Sequence, residues 1–153
     1  MRIAEETGAR AVQMAIDGLT IDRILTPDAF ENAWRVLLAI GGSTNGIVHL
    51  AALAGRVGLE LDLAALDRMG RDTPVLLDLK PSGQHYMEDF HHAGGMATLL
   101  HQLKPLLKLS ALTVNGRTLG QNIEAAGPPH VQNVVRPMDQ PIYPQGGIAV
   151  LQG

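Results

Sequence analysis

The glycines and prolines spread along this chain limit how it can fold more than any other feature. The 153 residues include 17 glycines and nine prolines, which lie at the ends of apolar patterns rather than in one low-complexity tract. Because both residue types end helices and interrupt strands, the sequence predicts many short elements joined by tight turns. With 46% hydrophobic and 18% charged residues, the chain has enough apolar material to build a core.

Most of these short elements are predicted to be helices. Apolar residues recur at helical spacing from Ile3 onward, and Gly18 ends that first pattern. The run Thr26-Pro27-Asp28 supplies a capping hydroxyl, a proline for the first helical position and a carboxylate that suits the helix dipole. Asp62 is a second capping residue, ahead of another apolar stripe. These signals predict a first region that is mainly helical.

The fold class predicted from the pattern is α/β, in two parts. The apolar run Val75–Leu79 follows Pro74 and is typical of a buried strand. Gly127-Pro128-Pro129 breaks the pattern, and short extended pieces separated by prolines follow it. We therefore predict that residues 1–127 form a mainly helical, incomplete α/β domain and that residues 128–153 begin a β-rich domain. The helical pattern starts at Met1 with no capping residue ahead of it, and the chain stops just after the apolar run Ile148–Leu151. We therefore expect the chain to be a piece of a longer protein.

Composition and charge exclude several classes of function. The net charge of -3 comes without a basic stripe, so binding to nucleic acid has little electrostatic support. No apolar run approaches the roughly 20 residues needed to span a bilayer. The chain has no cysteine, which excludes disulfides, cysteine catalysis and an iron–sulfur site built from this chain alone.

The segment Gly41-Gly42-Ser43-Thr44-Asn45 is the most informative local motif. It places two glycines and three short polar residues where a helix is predicted to begin. Exposed N–H groups at a helix start can hold an anion, and the hydroxyl and amide side chains can add hydrogen bonds. Ordinary helix capping explains the same residues and is much the commoner case. The motif is not a P-loop, because no Gly-Lys-Ser/Thr follows the glycines.

Three further polar residues, His85, Asp89 and His92, fall at helical spacing. If the helix is regular there, they share one face and could hold a metal ion. A solvated polar face is the commoner explanation of such a pattern. Asp78 interrupts the predicted strand, so we expect it to be paired, to cap the following turn, or to lie near a site.

Six segments in a fixed order cover nearly the whole chain and together resemble a known family. They are Ala4–Gly8; Gly41–Asn45 with His49-Leu50; Asp78–Gly83; Met87–Phe90 with Ala93–Gly95; Leu112–Leu119; and Arg136-Pro137 leading to Gly146–Leu151. Their residue sequences and order resemble those of the dihydroxy-acid dehydratase and phosphogluconate dehydratase family of iron–sulfur dehydratases. The Thr-Val-Asn-Gly and Asp-Phe-His-His stretches are more similar to the branch that acts on sugar acids (aldonates).

The resemblance implies a hydro-lyase that converts a 2,3-dihydroxy acid into a 2-keto acid. In that family Mg²⁺ would hold the carboxylate and one hydroxyl, while an iron–sulfur cluster would act as Lewis acid on the departing C3 hydroxyl. The cluster cysteines and the magnesium ligands would lie upstream of this chain, and a serine base downstream. No catalytic or metal-binding residue is therefore assigned here, and we expect the 153 residues alone to be inactive.

The resemblance also implies the placement and partners of the chain. It would be the C-terminal part of the family's α/β N-terminal domain followed by the beginning of the β-rich C-terminal domain. The intact enzyme is expected to be a cytoplasmic homo-oligomer acting on a small-molecule acid, with Ser43, Thr44 and Asn45 as substrate-binding residues. Two alternatives stay open: a carboxylate- or phosphate-binding module built on Gly41–Asn45, and a metal-dependent hydrolase using His85, Asp89 and His92.

Overall fold

The computed structural model describes residues 2–151 and shows a mainly helical architecture. The predicted helical character of the first region is confirmed. Seven α-helices and two short 3₁₀ turns, Ile21–Arg23 and Lys104–Leu106, are present in that range. The helices are α1 (Arg2–Ile16), α2 (Pro27–Ala39), α3 (Thr44–Arg56), α4 (Leu63–Asp72), α5 (Met87–His92), α6 (Gly95–Leu103) and α7 (Leu119–Ala126).

Side chains that precede the helices cap them as the sequence predicts. Thr26 Oγ1 accepts a hydrogen bond from the Ala29 N–H at 3.3 Å, directly before α2. Asp62 Oδ1 accepts from the Ala64 N–H at 2.8 Å, directly before α4. Each bond satisfies one of the N–H groups that a helix start leaves without an intrahelical partner. The starts predicted at Thr26 and Asp62 are confirmed.

The predicted strand Val75–Leu79 is a buried, extended segment that pairs through isolated bridges. Val75 pairs antiparallel with Tyr143, Leu77 pairs antiparallel with Val135, and Leu79 pairs parallel with His85. The Val75 N–H, for example, donates to the Tyr143 carbonyl at 2.9 Å. This segment is therefore the place where the C-terminal residues attach to the helical region.

A β-rich C-terminal part is not confirmed for the residues that the structure describes. Residues 128–151 run in extended pieces and turns, and their bridges are the single pairs with Val75 and Leu77. Pro137, Pro141 and Pro144 interrupt these pieces, and a proline cannot donate to a strand ladder. The domain boundary at Gly127 stays a prediction.

Two clusters of buried side chains form the core. The larger one joins α2, the Val75–Leu79 segment, α5, α6, α7 and the C-terminal residues; its members are Ala39, Leu76, Leu77, Phe90, Ala93, Leu99, Leu103, Leu107, Ile123, Val134 and Val135. The smaller one consists of Trp34, Leu38 and Leu66, with Ile148 and Val150 packed against it. Residues from after position 128 thus pack into both clusters.

Helix α1 differs from the other long helices in its burial. None of its fifteen described residues is buried. The Arg10 guanidinium ties it to the rest of the molecule by donating from Nε to the Val114 carbonyl at 2.6 Å. Across residues 2–151, no helix is long and apolar enough to cross a membrane.

Candidate functional site

The loop between α2 and α3 begins with a tight glycine turn. Gly41 has φ +61°, a left-handed conformation that side-chain-bearing residues rarely adopt. The N–H groups of Gly41 and Gly42 donate to the carbonyls of Leu38 at 3.2 Å and Leu37 at 2.9 Å. A Cβ atom at Gly42 would collide with the Leu37 side chain and lie 3.0 Å from its carbonyl oxygen. Glycine is therefore suited to both positions, and α2 ends here as predicted.

The three polar residues after the glycines begin helix α3 and face solvent. Ser43 is the capping residue, and its Oγ accepts a hydrogen bond from the Asn45 N–H at 3.2 Å. Ser43, Thr44 and Asn45 are all exposed. Capping occupies an acceptor site of Ser43 and leaves its hydroxyl hydrogen available. The predicted capping role is confirmed for Ser43, and the substrate-binding role of the three residues stays a prediction.

Two distant parts of the chain lie against this loop. A Cβ atom at Gly41 would lie 4.0 Å from Ser82 Oγ and 3.8 Å from Val75 Cγ1. A Cβ atom at Gly147 would lie 3.2 Å from the Gly41 Cα. We call the surface formed by Gly41–Asn45, Ser82 and Gly146-Gly147 the glycine-loop face. Its close backbone approaches are possible because small residues meet there.

The turn that carries Ser82 is held by its own polar side chains. Asp78 Oδ1 accepts from the Gln84 N–H at 3.1 Å, and Asp78 Oδ2 lies 3.8 Å from His85 Nε2. The turn-capping interpretation of Asp78 is thus supported. Lys80 Nζ donates to the Tyr86 hydroxyl oxygen at 2.6 Å and lies 4.0 Å from the centre of the Tyr86 ring. These contacts fix the segment that borders Gly41.

A carboxylate also fastens the C-terminal segment beside the glycine-loop face. Asp67 Oδ1 accepts from the Val150 N–H at 3.2 Å, and Asp67 Oδ2 lies 2.8 Å from Arg71 Nη2. The Arg71 guanidinium, followed by the Val150 N–H, holds the pKa of the Asp67 carboxyl below its ordinary value. The Gly146 N–H donates to the Gly70 carbonyl at 2.7 Å. Together these bonds keep Gly146-Gly147 in place.

Of the three residues of the predicted metal site, His85 and Asp89 lie close together, but all three do not form one ligand group within residues 2–151. His85 precedes α5, and Asp89 caps that helix by accepting from the Tyr86 N–H at 2.7 Å. His92 Nε2 instead lies 3.9 Å from Glu88 Oε1. The two ring nitrogens of His85 face different carboxylates, Nε2 toward Asp78 and Nδ1 toward Asp89 at 3.9 Å. The prediction that these three residues share one helix face is therefore wrong, because α5 starts at Met87, two residues after His85.

Residues 2–151 contain no cluster of three or more His, Cys, Asp or Glu side chains placed to hold one ion. The geometry of these residues therefore offers no complete ligand set for the magnesium ion or the cluster that the sequence resemblance implies.

One apolar cavity lies away from the glycine-loop face. It has a volume of about 250 Å³ and is lined by residues such as Trp34, Phe30 and Leu61, with carboxylates at its rim. Glu31 lies 3.5 Å from Lys108 Nζ, and Asp62 lies 3.3 Å from Arg68 Nη2. An acidic rim does not attract an anionic ligand. We therefore place the candidate site at the glycine-loop face.

Comparison with known families identifies the lineage of this fold. The family model described as dihydroxy-acid/6-phosphogluconate dehydratase N-terminal matches residues 1–122. The chain belongs to this dehydratase family. The resemblance inferred from the six segments is confirmed, and those segments include both the glycine loop and the Asp78–Gly83 turn of the glycine-loop face.

Relatives within the dehydratase family carry two kinds of name. The chain is 47% identical to an L-arabonate dehydratase of Azospirillum brasilense, over 99% of this chain and 26% of the relative. It is 42% identical to a dihydroxy-acid dehydratase of Methanothrix thermoacetophila, over the whole chain and 28% of the relative. An L-arabinonate dehydratase of Rhizobium leguminosarum is 44% identical, over 99% of the chain and 26% of the relative. The chain thus spans about a quarter of the length of these relatives.

Sequence reasoning proposed one part of this candidate site and did not indicate which other segments lie beside it. Gly41–Asn45 was recognised from its residue types. The positions of Ser82 and Gly147 beside the loop are not predictable from the sequence, because they depend on contacts between segments far apart along the chain. The available signal was the polar turn that directly follows a buried extended segment, a position where ligands often bind in α/β proteins.

Proposed function

We propose that this chain forms part of a hydro-lyase that converts a 2,3-dihydroxy acid, in particular a sugar acid, into a 2-keto acid. Loss of the C2 proton and the C3 hydroxyl, together one water molecule, gives an enol that becomes the 2-keto acid. Membership of the dehydratase family is the observation that carries this proposal. The names of the L-arabonate and L-arabinonate dehydratases, at 47% and 44% identity, support a sugar acid as substrate.

The part assigned to this chain is binding and orientation of the substrate. The start of α3 presents backbone N–H groups and the helix dipole to solvent, where a carboxylate or hydroxyl oxygen is stabilised. Ser43, Thr44 and Asn45 add side-chain donors and acceptors, and all three are exposed. A polyhydroxy acid has several oxygen atoms that such a loop can bind at once.

The iron–sulfur cluster and Mg²⁺ implied by the family do not fit the residues of this chain. Cluster ligation requires thiolates, and the sequence has no cysteine. Residues 2–151 also lack the grouped carboxylates that a magnesium site requires. We therefore assign neither group to this chain and expect the 153 residues alone to be inactive. A cytoplasmic location and a homo-oligomeric state remain part of the proposal.

The function is tested with the protein translated from the complete reading frame around this sequence. We expect it to form a 2-keto acid from L-arabonate, a branched-chain 2,3-dihydroxy acid or both, and the 153-residue chain to form none. Detection of the keto acid with a carbonyl reagent measures both. Turnover of neither acid by the reconstituted protein would refute the proposed function.

The binding role is tested by changing Ser43 and Asn45 separately to Ala in that protein. Loss of one neutral hydrogen bond is expected to lower kcat/KM about 2- to 10-fold. Thr26→Ala is the matched control, since it removes a helix cap of the same kind away from the site. If Ser43→Ala lowers the melting temperature as Thr26→Ala does and leaves kcat/KM unchanged, the loop is only a helix cap.

A further inference from the structure

Helix α3 is more apolar than its surroundings in this chain explain. From Thr44 to Arg56, its single Asp, Glu, Lys or Arg residue is Arg56. Of these thirteen residues, all of which the structure describes, Ala54 alone is buried. Val48 is 66% exposed and Leu53 is 48% exposed. A helix that is apolar on all sides is normally surrounded by protein. The exposed sides of α3 therefore lack the neighbours that its sequence favours.

An open apolar groove lies beside α3. It has a volume of about 470 Å³ and is bounded by α2, α3 and α6. Among the described residues that line it, none is Asp, Glu, Lys or Arg. The Asn32 amide is already bonded to the Lys108 backbone, at 2.8 and 3.0 Å. Such a surface favours an apolar occupant over an ionic ligand. We call it the α3 groove; its apolar lining includes Val36, Leu37, Ile40, Leu50, Met96 and Leu100.

The α3 groove borders the main core. Val36, Ile40 and Leu100 line the groove and also pack against the larger buried cluster. A Cβ atom at Gly46 would collide with the Leu37 side chain, so α3 is already in close contact with α2 and cannot close the groove by moving toward it. A hydrophobic core that reaches solvent is completed by further elements packed against it. The groove is therefore a place where the core of residues 2–151 remains open.

The length of the relatives supplies an occupant for this surface. The chain spans 26% and 28% of two of them, so about three-quarters of their length lies outside the matched region. A two-fold dimer would instead pair this patch with the same patch of a second copy, and a concave groove does not fill itself. We propose that the α3 groove is an internal interface of the full-length protein, filled by the apolar face of a helix from the part of the polypeptide outside residues 1–153.

The walls of the groove favour a helix as the occupant. Three helices bound it, and the side-chain ridges of a further helix pack into the grooves between those of its neighbours. The thirteen residues of α3 provide a length of about 20 Å, or roughly three to four turns. The apolar residues of the occupant would recur at helical spacing, as in other helices bound in apolar grooves. This inference requires a longer polypeptide but no particular substrate.

The first test follows Met96 in the protein from the complete reading frame by radiolytic hydroxyl-radical footprinting. Met96 is 46% exposed in this chain, so an open groove predicts that folding slows its oxidation only about 2-fold relative to the urea-unfolded protein. A filled groove predicts that folding slows it at least about 5-fold, equally at concentrations above and below those at which any oligomer dissociates. A smaller slowing would overturn the inference. Protection that is lost on dilution would overturn it in favour of a second copy.

Substitutions at Met96 in the same protein provide a second measurement. Met96→Glu should lower the melting temperature by at least about 2 °C, because it places a charge in an apolar interface, and Met96→Leu should stay within about 1 °C. Leu63→Glu is the matched control, since Leu63 is 47% exposed and does not line the groove; it should stay within about 1 °C. Equal melting temperatures for the two Met96 variants, or an equal fall in the control, would overturn the inference. If Met96→Glu does not fold, the footprinting result decides. Neither readout measures turnover, so the proposed function can fail independently.

Discussion

Two glycine pairs connect consecutive helices in this molecule, and they differ in how closely other side chains surround the first glycine. Gly41-Gly42 joins α2 to α3, and Gly94-Gly95 joins α5 to α6. Gly41 and Gly94 both have positive φ, +61° and +92°. A Cβ atom at Gly94 would collide with the Thr98 hydroxyl, which is buried and donates to the Ala93 carbonyl at 2.8 Å. A Cβ atom at Gly41 would meet only ordinary contacts at 3.8 and 4.0 Å.

The contrast shows that a glycine pair alone does not indicate a binding loop. In the α5–α6 joint, the glycine turn packs against the buried Thr98 side chain. In the α2–α3 joint, the turn itself is similar, but exposed Ser43, Thr44 and Asn45 follow it and Gly147 lies against it. The polar residues after the glycines, and the distant segments beside them, are what make the second joint a candidate site.

Among substitutions at the two joints, we expect Gly94→Ala to have the largest effect on stability. A left-handed backbone and a collision with buried Thr98 should together lower the free energy of unfolding by roughly 3 kcal/mol. Urea unfolding measures the loss. Adding Thr98→Ala should recover the part caused by the collision. A decrease below about 0.5 kcal/mol, the size of an ordinary surface change, would contradict the close contact between Gly94 and Thr98.

Gly41→Ala is expected to have a smaller effect on stability and a larger one on substrate use. The left-handed conformation alone should cost about 1–2 kcal/mol, since there is room for the methyl group. A displaced loop should also lower kcat/KM of the folded protein. Gly58→Ala is the matched control, because Gly58 has φ +73° with nothing within 4 Å. Equal kinetics for the two variants would remove the functional distinction between the joints.

The smallest effect concerns acid pH and the segment beside Gly41. The pKa of Asp67 is lowered in the folded protein by Arg71 and the Val150 N–H. A lowered pKa stabilises the fold above the unfolded pKa, and this stabilisation is lost as pH falls through the folded pKa. Acidification below about pH 4 should therefore release Val150.

Amide chemical shifts of Val150 and Gly147 follow this release, and the Thr98 amide in the other joint is the internal comparison. We expect the first two shifts to change together as the pH is lowered, and Asp67→Ala, which has no side-chain acceptor, to show the released shifts already at neutral pH. Identical titration curves for the variant and the unchanged chain would show that Asp67 does not fasten this segment.

Local features of the fold could be predicted from the sequence, because each depends on residues a few positions apart. The caps at Thr26 and Asp62 and the helix stop at Gly41 are of this kind. His85 shows where local reasoning fails. The spacing of His85, Asp89 and His92 predicts a helix that includes His85. In the structure Asp89 accepts from the Tyr86 N–H, and α5 starts at Met87. Because this competing cap shifts the helix start, His85, Asp89 and His92 do not share one helix face.

Long-range features could not be predicted, because no single segment determines them. Val75–Leu79 was correctly expected to be buried, yet its pairing with Tyr143 and Val135 depends on how the last residues fold back. The approach of Ser82 and Gly147 to Gly41 has the same origin. The sequence therefore indicates Gly41–Asn45 as part of a candidate site but does not indicate that Ser82 and Gly147 lie beside it.

Helix α1 has a consequence for the dynamics of the chain. Its exposed apolar residues include Ile3, Val12 and Ile16, and isolated helices of this length are marginal in water. Amide hydrogens of α1 should therefore exchange with solvent through local opening, at a free-energy cost far below that of global unfolding. The segment can fray, or take up a new neighbour, without disturbing either buried cluster, so its exchange rates would report contacts made by α1 independently of the rest of the fold.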